Sequence, residues 1–279
     1  MKRNKSFDKN SPLLYLVATP IGNLKEFSNR AIEIVSEADI VAAEDTRNAY
    51  DLLNHFGIKK ELYSLREHNE KEASKHLVSL IKAGKKVVYM SDAGYPGISD
   101  PGYLLVKELI ENDIAVSTIS GSSAFINALV ASGLDTKHFF FYGFLSAKDG
   151  EAKDEINSLR NVRNTLIFYE APHRIIRTLT LLKEGFGNRY ACLARELTKI
   201  NEEFIRGTLE ELSQIEEETL KGEMVVIVDG NHEEVVVRDD EITARVAYFT
   251  NLGLSQKDAI NVVSEEFKIN KNYIKKLLF

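Results

Sequence analysis

Charged side chains gather at three places where an apolar segment ends, and groups of these types can transfer protons or bind charged substrates. The segments are Ala43-Glu-Asp-Thr-Arg47, Tyr169-Glu-Ala-Pro-His-Arg174 and Ala194-Arg-Glu-Leu-Thr-Lys199. Because unpaired buried charge is costly, these side chains either pair with one another or line a cleft. In the first segment, Asp45 or Thr46 could instead cap a helix and leave Arg47 in solvent. Three such segments in one chain favour a polar cleft.

The segment from Ser91 to Gly102, Ser-Asp-Ala-Gly-Tyr-Pro-Gly-Ile-Ser-Asp-Pro-Gly, is the most unusual in the sequence. It holds three glycines and two prolines in twelve residues, whereas a simple connection usually needs about two to six residues. Glycine allows the backbone to approach a ligand closely and proline keeps a loop rigid, while Asp92 and Asp100 offer carboxylates or helix caps. A purely structural turn is the alternative, but the pattern favours a ligand-binding loop.

Two further small-residue loops, Thr19-Pro-Ile-Gly-Asn23 and Ser120-Gly-Ser-Ser-Ala124, follow predicted strands. Open α/β sheets bind ligands at such places, although either loop could simply cap the next helix.

The sequence has no Gly-x-Gly-x-x-Gly, Walker A, His-Glu-x-x-His or Gly-x-Ser-x-Gly motif, so dehydrogenase, P-loop NTPase, zincin and α/β-hydrolase functions lose support. The single cysteine, Cys192, lies in an apolar run, which excludes a disulfide framework and a cysteine zinc site.

The elements that must position these loops alternate between short apolar runs and amphipathic stretches from residue 13 to about 230. This alternation is typical of an α/β protein with a parallel or mixed sheet. Ser28 is predicted to cap a helix that buries Ile32, Val35 and Ala38, and apolar residues at helical spacing run from Glu70 to Ala83. The predicted strands are 13–18, 39–43, 86–91, 114–119, 139–143, 164–169, 190–195 and 223–229.

A chain of 279 residues has room for two lobes and an appendage. We predict a flexible N-terminal tail at 1–12, an N-terminal α/β lobe at 13–122, a C-terminal α/β lobe at 123–236 and a small helical domain at 237–279. Three short helices in this last part, with lysines on the final one, have the layout of a helix–turn–helix nucleic-acid-binding module. Helical hairpins that only pack on a partner have the same pattern.

The net charge of −6 argues at first against binding nucleic acid, because phosphate contacts need clustered Lys and Arg. Residues 201–241 contain 14 acidic and 3 basic side chains, a net of −11, so the remainder of the chain carries +5. RNA is therefore admissible as a partner.

No stretch approaches the roughly 20 apolar residues that a membrane helix needs, and the apolar segment 13–18 is too short for a signal peptide, so we expect a cytoplasmic protein.

In their order along the chain, these motifs resemble the tetrapyrrole-methylase-like (class III) methyltransferase superfamily. Within it they are similar to the 16S ribosomal RNA cytidine 2′-O-methyltransferase family. The resemblance covers about residue 13 to the C-terminus. It is carried by Tyr15-Leu-Val-Ala-Thr-Pro-Ile-Gly-Asn-Leu24, Ala43-Glu-Asp-Thr-Arg47, the loop Ser91 to Gly102, Gly121-Ser-Ser-Ala124, Tyr169-Glu-Ala-Pro-His-Arg174, Arg195-Glu-Leu-Thr-Lys199 and Gly222-Glu-Met224.

The resemblance implies a two-lobed tetrapyrrole methylase-like α/β fold with a small C-terminal helical domain, a homodimer, and S-adenosylmethionine held in the cleft between the lobes without a metal. In that family the product is a cytidine of the small-subunit decoding centre that is methylated on its ribose oxygen. By motif position, the expected donor contacts are Ile21, Asp92, Tyr95, Gly121, Ser122, Ala171 and Met224.

A protonated ribose hydroxyl is a poor nucleophile, so a base or strong electrostatic help is expected. The candidates are Glu170, Lys199, Glu44 and Asp45, which sequence alone does not rank. Arg47, Arg174 and Arg195 would then contact phosphate or stack on the target base. Two alternatives stay open at this point: a precorrin-type tetrapyrrole methyltransferase, and a catalytically silent RNA-binding or ribosome-assembly protein of the same fold.

Overall fold

The computed structural model of the chain describes residues 13–232 and 238–278. The predicted tail at 1–12 and part of the charged segment before residue 238 lie outside the described residues. The chain divides into two units, Met1–Asn231 and His232–Phe279. The first contains two separate five-stranded sheets and the second is helical.

The first sheet is fully parallel, with strand order β3-β2-β4-β1-β5. Its central strands are buried along their whole length, as expected where helices cover both faces of a parallel sheet. Helix α1 begins after Ser28, whose Oγ accepts a hydrogen bond from Ala31 N–H as predicted, although Ile32 is only half-buried. The elements are β1 Leu13–Val17, α1 Asn29–Glu37, β2 Ile40–Ala43, α2 Thr46–His55, β3 Glu61–Ser64, α3 Glu70–Lys82, β4 Val87–Met90, α4 Tyr103–Glu111 and β5 Ala115–Ile119.

The second sheet is mixed, with strand order β6-β7-β10-β8-β9, and only its β6–β7 pair is parallel. Helix α5 packs on one face of this sheet, while α6, α7 and α8 contribute to the core on the other. The elements are α5 Ala124–Ser132, β6 Phe139–Phe144, α6 Asp149–Leu159, β7 Thr165–Glu170, α7 Ile175–Phe186, β8 Tyr190–Arg195, β9 Glu203–Thr208, α8 Leu209–Ser213 and β10 Met224–Val228.

The α/β fold class is confirmed, and eight of the ten strands found in residues 13–232 lie where the sequence predicts them. The two that were not predicted, β3 and β9, each form one edge of their sheet, while the opposite edges, β5 and β6, were predicted. Both strands are partly exposed and carry charged residues. Such strands lack the continuous apolar run of a buried strand, so they produce little sequence signal.

The described part of the second unit contains three helices, α9 Asp239–Asn251, α10 Gln256–Phe267 and α11 Lys271–Leu278. Ser255 caps α10 by accepting a hydrogen bond from Asp258 N–H at 3.2 Å. The unit has its own small core, formed by Ile242, Val246, Ala259, Ile260, Val263 and Ile274. Within the described ranges, no helix has both the length and the apolar character needed to cross a bilayer.

Candidate functional site

Loops from both sheets surround a cavity of about 430 Å³ within the first unit. Its volume falls in the range of small-molecule sites, which are about 300–1,000 Å³. From the first sheet come loops that follow β1, β2, β4 and β5, and from the second come segments that follow β7 and β8 and that lead into β10. The lining consists of Ile21, Glu44, 92–95, 98–100, 123–124, Phe144, 169–172, 196–197, Lys199 and 223–225.

The structure brings five of the seven expected donor contacts to this cavity, namely Ile21, Asp92, Tyr95, Ala171 and Met224. Gly121 and Ser122 are not part of the lining, which contains the next two residues, Ser123 and Ala124, instead. Gly121 N–H donates to the Tyr95 hydroxyl at 3.2 Å, which joins two of the wall-forming loops.

The loop Ser91 to Gly102 is fastened to the loop after β1. Thr19 and Gly94 exchange two backbone hydrogen bonds of 2.9 and 3.1 Å, and the Thr19 hydroxyl donates to Ser91 O at 3.2 Å. Gly94 has a φ of +80°, and that left-handed conformation favours glycine at this point. The two small-residue segments that the sequence singles out therefore form one connected wall.

A buried glutamate holds the far end of the same loop. Oε1 of Glu70, at the start of α3, accepts hydrogen bonds from Gly102 N–H and Leu104 N–H at 2.8 Å each and from Leu105 N–H at 3.4 Å. These amides begin α4 and have no acceptor within their own helix. Tyr89 adds a second clamp, since its hydroxyl donates to Pro101 O at 2.8 Å.

Asp92 connects the loop after β4 to the first turn of α2. Its carboxylate accepts hydrogen bonds from Asp45 N–H at 3.1 Å and from the Asn48 side-chain amide at 2.8 Å. Asp45 itself caps α2 by accepting Arg47 N–H at 2.9 Å. Hydrogen bonds from Arg47 hold the pKa of the Asp45 carboxyl well below its usual range.

Among the four predicted base candidates, the structure places Glu44, Glu170 and Lys199 in the cavity lining and leaves Asp45 out of it. Burial and the neighbouring Asp92 carboxylate raise the pKa of Glu44. Asp45 is the helix cap that the sequence analysis kept as its alternative.

Glu170 is buried and both of its oxygens are engaged. Oε1 accepts Ala171 N–H at 2.8 Å and lies 3.0 Å from Arg174 Nε, while Oε2 accepts the Thr178 hydroxyl at 2.5 Å and an Arg174 amine at 3.2 Å. An acceptor with this many donors is held firmly in place. Glu170 therefore shapes the end of β7 and fixes Arg174.

Lys199 connects the two lobes. Its Nζ lies 2.9 Å from Glu196 Oε1, and its alkyl chain lies so close to Gly22 that a Cβ at that position would be 2.6 Å from Lys199 Cγ. Gly22 also has a φ of +156°. Since the glycine of the Thr-Pro-Ile-Gly loop is required for this approach, the loop after β1 and the loop after β8 are adapted to each other.

The three predicted substrate arginines lie outside the cavity lining. Arg174 is tied to Glu170 and donates to Leu145 O at 2.8 Å, whereas the sequence predicted that it would contact phosphate or stack on the target base. The Nε of Arg195 lies 2.6 Å from Glu203 Oε2. Arg47 pairs with Asp45, yet 82% of its side chain is exposed, so it is the most accessible of the three.

Asp100 is the most strongly perturbed acid in the cavity lining, whereas from the sequence alone it is only a possible carboxylate ligand or helix cap. Burial, with the Glu44 and Asp92 carboxylates next, raises the pKa of Asp100 to about 7. Tyr169 begins one of the three charged segments but was given no role of its own, and burial raises the pKa of its hydroxyl to about 12. The sequence feature that could have pointed to Asp100 as a site residue is the Asp-Pro-Gly run that ends the glycine-rich loop.

The lining fits a cationic methyl donor. It contains six carboxylates, Glu44, Asp92, Asp100, Glu170, Glu196 and Glu223, and a single cationic side chain, Lys199. An excess of negative charge in a partly enclosed site attracts a positively charged ligand such as a sulfonium. Among the described residues, no group of three His, Cys, Asp or Glu side chains is arranged to hold a metal ion.

Comparison with known proteins places this geometry among methyltransferases. The family model of tetrapyrrole (corrin/porphyrin) methylases matches residues 13–213. A Halalkalibacterium halodurans protein named ribosomal RNA small subunit methyltransferase I is 43% identical over 284 residues, which cover 98% of each chain. A Bacillus subtilis protein of the same name is 38% identical, with 98% of this chain and 97% of that protein covered.

Among solved structures, the chain is similar to the uroporphyrin-III C-methyltransferase of Thermus thermophilus in complex with S-adenosylhomocysteine. The TM-score is 0.55 with 18% identity, and the match covers 78% of this chain and 97% of that one. At this identity the likeness shows the fold alone. The part of this chain that such a structure leaves unmatched is large enough to include the helical second unit.

Proposed function

We propose that this chain, which belongs to the tetrapyrrole methylase family and within it to the family of ribosomal RNA small subunit methyltransferases I, methylates 16S ribosomal RNA. The acceptor is the 2′-hydroxyl of a cytidine in the decoding centre, and the donor is S-adenosylmethionine. One observation carries the assignment: identity of 43% extends over 98% of both chains, so the helical second unit is matched together with the methylase fold.

The donor would lie in the 430 Å³ cavity, against the wall formed by the loops after β1 and β4. When bound, S-adenosylmethionine supplies a methyl group that is activated by its positively charged sulfur. Main-chain groups near Gly94 and side chains such as Tyr95, Ala171 and Met224 would hold it, because they line the cavity from both lobes. The rigid attachment of these loops to each other orients the donor before the acceptor arrives.

The distribution of charge supports RNA rather than a tetrapyrrole as the acceptor. A precorrin-type macrocycle carries several carboxylates, and lining carboxylates that no cation of the lining pairs with, such as Asp92 and Glu223, would repel them. A single neutral ribose can enter such a cavity while its phosphates stay outside. Arg47, exposed next to the cavity wall, is suited to contact one of those phosphates.

The second unit offers a further set of cations for RNA. Lys268, Lys271, Lys275 and Lys276 are all exposed at the end of α10 and on α11. Lysines that cluster on one short helix contact phosphates without reading sequence. We therefore assign this face a role in binding ribosomal RNA, as the lysine pattern in the sequence suggested.

The proposal includes a homodimer that acts in the cytoplasm. Two exposed apolar residues one helical turn apart on α5, Ile126 and Val130, lie on the same lobe as exposed Phe139 and Phe140 of β6. Val130 is 72% exposed. Apolar surface of this kind is commonly covered by a partner, and a second copy of the chain would cover it.

The assignment is tested by deleting the gene and mapping ribose methylation across small-subunit RNA. We expect loss of methylation at one cytidine of the decoding centre and its return when the gene is restored. Unchanged ribose methylation throughout that RNA would overturn the proposal. Calorimetry with S-adenosylmethionine separates an enzyme from a silent scaffold, since only the enzyme binds the donor.

A further inference from the structure

We propose that the ring of Phe144 is the stacking surface for the base of the acceptor nucleotide, with Ile98 of the other lobe on the opposite side of that base. This assignment rests on the proposed function, because it presumes that the acceptor is a nucleotide of RNA. The carbon that bears a 2′-hydroxyl is bonded to the carbon that bears the base. A base must therefore lie next to any ribose that is methylated in this cavity.

Phe144 and Ile98 are exposed although both line the cavity. They are the two large apolar side chains of the described lining that are exposed, at 53% for Phe144 and 42% for Ile98. Other large apolar side chains of the same lining, such as Ile21 and Met224, are buried. The exposed pair therefore lies at the entrance of the cavity, where apolar surface is available to an arriving ligand.

A β-bulge in β6 turns the Phe144 side chain toward the cavity. In the pairing of β6 with β7, the register shifts between Phe141 and Gly143, so that Tyr142 is an extra residue. Strict alternation would place Phe144 on the same face as Tyr142, which packs against the core of the second lobe. Because of the bulge, Phe144 lies opposite Tyr169 instead, and their ring centroids are 5.5 Å apart at an interplanar angle of 60°. Bulges beside active sites commonly redirect a side chain in this way.

The two lobes meet beside these side chains. Gly143 has a φ of +88°, which favours glycine, and a Cβ added there would lie 3.3 Å from the Ser99 hydroxyl. Ser99 itself is left-handed, with a φ of +60°, which is strained for a residue with a side chain. Ile98 and Phe144 are the chain neighbours of this contact, so they flank the point where one lobe faces the other. A flat group that enters there would have an apolar side chain from each lobe beside it.

A nucleic-acid base is the flat group that fits this entrance. Proteins that bind single-stranded RNA commonly stack unpaired bases on aromatic side chains. The adenine of the donor is also a flat base, but the donor lies deeper, where buried Ile21 and Met224 already offer apolar contacts. The acceptor has to arrive through the entrance, so the exposed ring of Phe144 is assigned to its base. Donor affinity separates the two ligands, because only a contact with adenine would change it.

The test is single-turnover methylation of small ribosomal subunits that lack the modification, with saturating S-adenosylmethionine and with subunits below saturation. The variants are Phe144→Ala, Phe144→Leu and Phe144→Tyr, and calorimetry measures donor affinity on the same proteins. Tyr190→Ala is the matched control. Tyr190 is a similarly exposed aromatic residue, at 45%, and it begins β8, whereas the cavity lies beyond the other end of that strand.

Loss of an aromatic side chain on which a base stacks weakens binding by about 5–150-fold. We therefore expect Phe144→Ala to methylate at least about tenfold more slowly than the wild type. Phe144→Leu should be similarly slow, because it keeps apolar bulk but has no ring, whereas Phe144→Tyr keeps the ring and should stay within about threefold of the wild type. Donor affinity should be unchanged in all three variants, and Tyr190→Ala should match the wild type in both measurements.

A wild-type rate in Phe144→Ala or Phe144→Leu would overturn the proposal, as would a Phe144→Tyr variant that is no faster than Phe144→Leu. Donor affinity that falls together with the rate would assign Phe144 to the adenine of the donor and would equally overturn it. Failure of the wild type to methylate the subunits would refute the proposed function itself. That outcome differs from methylation by the wild type with an unaffected Phe144→Ala variant, which refutes the stacking role alone.

Discussion

Replacement of Glu70 by alanine should loosen the donor loop and destabilise the first unit. The Glu70 carboxylate is buried and accepts three amide protons from Gly102, Leu104 and Leu105. These amides begin α4, where the helix itself supplies no acceptor. Alanine would leave them without a partner in a site that is closed to most solvent.

The magnitude follows from the three hydrogen bonds. A buried donor left unpaired costs about 1–3 kcal/mol, and the loss of a helix cap costs about 0.5–2 kcal/mol. The longest bond, to Leu105 at 3.4 Å, contributes little. We therefore expect a loss of about 3 kcal/mol in the free energy of unfolding, which corresponds to a melting temperature lower by roughly 6–12 °C for a domain of this size.

Glu70→Ala should change donor binding as well as the stability of the first unit. Gly102 closes the loop that begins at Ser91, and that loop supplies Asp92, Tyr95 and Asp100 to the cavity. Glu70→Ala should thus weaken binding of S-adenosylmethionine, although Glu70 lies outside the cavity lining. Glu70→Gln retains a carbonyl oxygen that can accept the same amides, so it should recover most of the stability.

The assay is urea unfolding followed by circular dichroism, together with calorimetry of donor binding. Glu72→Ala, an exposed glutamate two residues further along α3, is the matched control and should change stability by less than about 0.5 kcal/mol. If Glu70→Ala is as stable as this control, the three hydrogen bonds do not hold the loop and the reasoning fails.

Three further predictions concern donor, RNA and partner binding. Asp92→Ala should lower the affinity for S-adenosylmethionine about tenfold or more, because it frees the first turn of α2; unchanged affinity by calorimetry would contradict this. Joint change of Lys271 and Lys275 to Glu should weaken ribosomal RNA binding and reduce its salt dependence by about 1–2 counter-ions, and equal salt slopes would exclude α11 from the interface. Val130→Asp should shift the protein from dimer to monomer in light scattering, and a persistent dimer would place the interface elsewhere.

Much of the architecture could be predicted from the sequence because its signals are local. Buried parallel strands such as β2 and β4 are continuous apolar runs, and Ser28 and Ser255 stand at the helix starts that they cap. The outer strand β9 was not predicted because it is partly exposed and contains Arg206. Its place in the sheet depends on pairing with β8, and no local pattern records that pairing.

The candidate site likewise has a part that the sequence predicted and a part that it did not. The sequence located the loops, and five of seven expected donor contacts line one cavity. The sequence did not distinguish the carboxylates from one another, because the hydrogen-bond partners of each are fixed only by the folded conformation. Asp45 is a helix cap, and Glu170 is engaged by Thr178 and Arg174.

By itself, the sequence determined the α/β alternation, the family and the glycine- and proline-rich loops, since each of these is written in consecutive residues. Only the tertiary structure decided which carboxylates of the site are buried or engaged by hydrogen bonds. Burial, and next the Glu44 and Asp92 carboxylates, raise the pKa of Asp100, and Glu70 fixes the backbone that follows it. Burial and charge act through space, so the properties of a side chain in a cleft are set by contacts that the order of residues does not display.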